Sequence, residues 1–143
     1  MSLMQPDPKR RRGHAALEFA LLSPWIFYLF FGTLDLGFYS YALISTENSA
    51  RVAAQYTSKV PGKLEDAAGA CTYVLAELSG MGNVHNLTSC TALPLIVSVT
   101  AVKDFDGADA SSVAVTYQTA PLIPIPGLRG RLTVTRVVQM RVL

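Results

Sequence analysis

An uncharged stretch, Phe19 to Leu34 (FALLSPWIFYLFFGTL), follows four consecutive cations, Lys9, Arg10, Arg11 and Arg12. As a helix it would rise only about 24 Å, short of the roughly 30 Å hydrocarbon core, so a membrane-crossing helix must also draw in Ala15, Ala16, Leu17 and Glu18. Glu18 then lies about one turn inside the boundary, where an ionised group is unfavourable without a partner. Asp35 closes the run at the far side. Four cations against Asp7 give residues 1–13 a charge of +3, which leaves −1 for the rest of a chain whose formal charge is +2. Basic character is thus confined to the segment before the apolar run. That placement follows the positive-inside rule and is not the footprint of a nucleic-acid surface. Half the residues are hydrophobic and only 15% are charged, as a membrane segment in a short chain would make them.

Three readings compete for this segment. A secretory signal peptide has such a basic start and apolar centre, and Ser40-Tyr41-Ala42 offers small residues at the positions a signal peptidase needs. A plain signal anchor needs no cleavage. Both leave Glu18 without a purpose; the third reading makes the carboxylate the reason for the motif.

Arg12-Gly13 followed by HAALEFALLSPWIFYLFFGTLDLGFYSYAL resembles the amino terminus of the TadE family of pilin-like proteins of the Tad (Flp) pilus assembly system. Gly13 matches the last residue of a short basic leader, Glu18 the glutamate five residues later, and Phe19 the aromatic beside it. Pro24 matches the proline early in the helix, Asp35-Leu36-Gly37 the aspartate and glycine at its outer end, and NSARVAAQY (48–56) the alanine- and arginine-rich continuation. The resemblance implies cleavage between Gly13 and His14 by a prepilin peptidase. It also implies that Glu18 pairs with the free amino terminus of a neighbouring subunit. Such pairing has a physical basis, because a carboxylate that meets an ammonium in low dielectric stays ionised and fixes the axial register of two helices.

The expected organisation is a basic leader (1–13), a transmembrane and stalk helix (14–60) and an extracytoplasmic α+β domain (61–143). One helix is expected from about Ala15 to Thr57, ended by Pro61-Gly62; on it Ala42, Ser45, Ser49 and Ala53 form a small-residue stripe, and Glu47 and Arg51 an i,i+4 pair. Leu64–Leu78 has helical spacing with Glu65 and Asp66 in its first turn. LIVSVTAVK (95–103), SVAVTYQTA (112–120) and RLTVTRVVQMRVL (131–143) alternate with period two and predict a three-stranded antiparallel sheet. On the last strand Leu132, Val134, Val138, Met140 and Val142 share a face on which Arg136 is the exception.

Cys71 and Cys90 have no metal-ligand spacing. If the basic tail stays cytoplasmic, the domain lies in an oxidising compartment and a disulfide is their expected state. Asp104, Asp106 and Asp109 surround Gly107, but the ligand order of a calcium loop is missing, so a polar turn is favoured over a metal site. In PLIPIPG (121–127) the prolines hold Leu122, Ile123 and Ile125 extended, either packed under the sheet edge or projecting as a partner patch. With no catalytic set, no phosphate loop and no metal cluster, the chain is read as non-enzymatic and without a cofactor.

The combined expectation is a single-pass bacterial inner-membrane protein, amino terminus cytoplasmic, domain periplasmic or extracellular, acting in assembly or priming of a Tad-type pilus. Its partners would be the membrane, the prepilin peptidase, other pilin-like subunits and pilus assembly proteins, and no nucleic acid. A permanently signal-anchored binding module unrelated to pili is the main alternative, and an enzyme released after Ala42 the third reading.

Overall fold

In a computed structural model the described residues are 8–60, 62–121 and 130–142, with 8–13 described for the backbone alone. The elements are α1 (Pro8–Lys59), α2 (Ala67–Glu77), β1 (Thr91–Ala92), β2 (Leu95–Lys103), β3 (Asp109–Gln118) and β4 (Thr133–Arg141). The class is α+β as expected, but the sheet has four strands where the sequence led us to three. The addition, β1, pairs only Thr91 with Ile96 and Ala92 with Leu95, too short a stretch to show a period. The chain divides into two compact units, one ending at Leu36 and one spanning Gly37–Leu143.

In the first unit α1 continues through Pro24. Proline lacks the N–H that would bond the carbonyl four residues back, which here is Ala20. The Ser23 hydroxyl donates to that same carbonyl at 3.2 Å, and the Thr33 hydroxyl donates to Leu29 O at 2.8 Å. A helix with no water beside it needs such internal satisfaction of its polar groups.

In the second unit the sheet is an antiparallel meander in the order β1-β2-β3-β4. Val113 pairs with Val99 on one side and Val138 on the other, and Val115 with Val97 and Arg136. One face of the sheet therefore carries Leu95, Val97, Val113, Val115, Tyr117 and Val134, all buried. The outer half of α1 contributes Ala42, Thr46, Ser49, Ala50, Ala53, Ala54 and Thr57, also buried and recurring at three and four. The alanines of this stripe, Ala70, Cys71, Val74 and Leu78 form one cluster with the sheet valines. Small side chains let the helix backbone approach closely, and the buried hydroxyls of Thr46, Ser49 and Thr57 donate to carbonyls one turn back, so none is stranded. The stripe read from the sequence packs on the chain's own domain, with Ser45 only half-buried at its margin.

Asp66 fixes the junction between the helices. It is the N-cap of α2, accepting from Gly69 N at 2.9 Å, and it also accepts from the Tyr56 hydroxyl of α1 at 2.9 Å and pairs with Lys63 at 3.0 Å. The Tyr56 ring lies over Tyr73 of α2, centroids 4.7 Å apart. Gly69 makes this possible: a Cβ there would sit 2.5 Å from Tyr56 Oη and 2.6 Å from Asp66 Oδ2. The sequence placed Asp66 inside the first turn; it stands one position before it, where its side chain satisfies an orphan N–H.

Candidate functional site

The first unit offers one physical capability, insertion into an apolar medium. Leu17, Phe19, Leu21, Leu22, Trp25 and Leu29 are each more than half exposed, and the exposed apolar residues encircle the helix. A helix apolar all round and bare of protein cover belongs in lipid. α1 is long and apolar enough to cross a membrane, which fits a single-pass anchor. His14 and Glu18 are both exposed, and their spacing of four places them on one side of α1. Gly13 and Lys9, Arg10, Arg11 and Arg12 lie on the α1 backbone, their side chains outside the described residues.

The second unit is closed by the Cys71–Cys90 disulfide, which ties α2 to the segment just before β1 with Cα atoms 5.8 Å apart. Both cysteines are buried. In the chain-entropy account a bridge of separation 19 contributes about 3 kcal/mol. The loop after α2 is held independently: the Asn83 amide donates to Gln118 O at 2.7 Å and accepts from the Tyr117 hydroxyl. Burial pushes the Tyr117 phenol above its ordinary pKa.

Charge at the junction is arranged around Asp66. The Gly69 N–H, then the Lys63 and Tyr56 side chains, lower its carboxyl to about 2. The same hydrogen bonds raise the Lys63 ammonium and the Tyr56 phenol.

The three aspartates around Gly107 form a closed turn. Asp104 and Asp106 accept from the backbone N–H groups of Phe105 and Ala108, Arg141 Nη1 lies 2.7 Å from Asp106 Oδ2, and Lys103 pairs with Asp109. Among the described residues no group of three His, Cys, Asp or Glu is placed to hold a metal. Leu122, Ile123 and Ile125 lie outside the described residues.

Two features escaped the sequence reading. Arg136 points onto the helix-covered face of β4, where its Nε lies 3.6 Å from Glu47 Oε2, while Arg51 Nη2 lies 3.1 Å from Glu47 Oε1. One carboxylate thus serves two arginines, a pairing foreshadowed by the one cation on an apolar strand face. Phe105, in the middle of the acidic turn, is 97% exposed, and no spacing in the sequence marks it as bare.

Residues 13–55 match the family described as TadE-like protein. The amino-terminal segment is TadE-like. It takes in the anchor and the small-residue stripe as far as Gln55, and stops before Asp66, the disulfide and the sheet. No curated protein and no solved structure matches the chain.

Proposed function

We propose that the protein is a non-enzymatic, membrane-anchored pilin-like subunit that acts in assembly or priming of a Tad-type pilus and is processed between Gly13 and His14 by a prepilin peptidase. The observation that carries the reading is the coincidence of the TadE-like match, which begins at residue 13, with an anchor helix bare of protein cover. In this reading Lys9–Arg12 hold the leader in the cytoplasm of a bacterial cell, and the disulfide-closed unit lies outside the inner membrane. Glu18 meets the new amino terminus of a neighbouring subunit. Two features support that role: Glu18 is exposed on α1, and an apolar helix would insert more readily without it.

Gly13→Leu tests the processing. It should leave a chain heavier by the leader and block pilus formation while the protein still reaches the membrane. Normal pili from an uncleaved chain would contradict the reading and favour a permanent signal anchor.

A further inference from the structure

The turn joining β2 to β3 is fixed by backbone bonds as well as by its carboxylates: Asp104 N donates to Ala108 O at 2.8 Å, Gly107 N donates to Asp104 O at 2.9 Å, and Gly107 takes φ +82°. At its tip stands Phe105, almost wholly exposed, next to Asp104, on which no cation is placed among the described residues. An aromatic on a pre-ordered turn suits an interface anchor, since little further freedom is lost when it binds.

The same unit carries a place of opposite character. Leu43, Ile44, Glu47, Asn48 and Arg51 of α1 and Arg136 of β4 border a shallow groove of about 340 Å³. Ile44 is 62% exposed. The two arginines share one carboxylate, so the cluster keeps a charge of +1, and although Arg136 Nε itself is buried, the Arg51 and Arg136 side chains stay 59% and 42% exposed. Apolar side chains beside exposed cations that outnumber their carboxylate complement an aromatic that is followed or preceded by a carboxylate.

Within one chain the two cannot meet. Arg141 pairs with Ala110 at the hairpin end of the sheet, and Arg136 pairs with Val115 five residues along the ladder. At about 3.4 Å per residue this separation is roughly 17 Å along a rigid strand.

We infer that the Asp104-Phe105 tip of one copy docks into the α1–β4 groove of a second copy. Phe105 covers Leu43 and Ile44, and Asp104 supplies the second carboxylate to Arg51 and Arg136. Because the two patches differ, the contact is head-to-tail and leaves a free tip and a free groove for further copies. The contact deepens the subunit reading and rests on it for its setting.

The test uses the full chain in cell membranes, with a photocrosslinking benzoylphenylalanine in place of Phe105 and the adducts mapped by mass spectrometry. The expected adduct joins two copies at residues 43–51 or at the peptide holding Arg136. Arg51→Glu should lower its yield about five-fold, and adding Asp104→Lys should restore it. Unchanged protease resistance of the second unit in each variant keeps loss of folding apart from loss of contact. Adducts to other proteins, adducts elsewhere on the second copy, or a yield indifferent to Arg51→Glu would overturn the inference. Those results leave a correctly processed amino terminus untouched, so the contact and the pilin-like reading fail separately.

Discussion

Arg136 Nε lies 3.6 Å from Glu47 Oε2, which joins an edge strand to the anchor-bearing helix from a face of β4 whose other residues, Val134, Val138 and Met140, are apolar. Both side chains keep about two-fifths of their surface exposed, so the pair is screened and its worth is modest. Its position matters more than its strength. Arg136 stands opposite Val115, where any unpaired cation would lie against the core, and Glu47 is placed to receive it.

A double-mutant cycle measures this pairing. Glu47→Gln and Arg136→Gln should show a coupling of about 0.2–1 kcal/mol in denaturant unfolding. Arg136→Met, which extends the apolar face and removes the charge, should cost little or stabilise. A coupling of zero would mean that Arg136 is held by packing of its stem alone.

Gly69→Ala should destabilise the second unit by about 1–3 kcal/mol, because the added methyl meets Tyr56 and Asp66 at the helix junction. Tyr56→Phe with Gly69→Ala should recover part of the loss by removing the oxygen that the methyl meets. Thermal unfolding of the wild type, the two single variants and the double variant decides this, and a fully tolerated Gly69→Ala would contradict the junction geometry.

Acid should loosen the same junction. The Asp66 carboxyl is lowered from its ordinary 3.8 to about 2, so its contribution is fully present above pH 4 and disappears as pH falls from near 4 to about 2. Lys63 and Tyr56 have the opposite sign: their raised values give a contribution that is lost only in strong alkali. Asp66→Asn should flatten the acid limb of a stability–pH profile. An unchanged acid limb would assign the acid sensitivity to other carboxylates.

Opening the Cys71–Cys90 bridge should cost about 3 kcal/mol, the loop-closure value for its separation of 19. Denaturing, non-reducing thiol labelling of protein from membranes should find neither cysteine. Two reactive thiols would contradict both the bond and the extracytoplasmic placement that supports it.

Where side-chain pattern decides structure, the sequence is a good guide. The alternation of Leu95, Val97 and Val99 marks β2 at its observed bounds, because those residues face the helices and their neighbours face water. β3 starts at Asp109, three residues earlier than the valine pattern predicts, since Lys103 pairs with that carboxylate and lets the ladder run on. α1 exceeds its expected range at both ends. Arg136 broke the pattern visibly, but its partner Glu47 is distant in sequence and had already been assigned to Arg51. Nor could spacing reveal that Phe105 faces solvent: an aromatic in a turn is buried or bare according to where the turn points.

The subunit reading turns on which end the mature chain begins with. Intact-mass and amino-terminal sequencing of the protein from native membranes should give a chain starting at His14. A chain beginning at Met1 or Ser2, or at Leu43 after removal of a signal peptide, would contradict it.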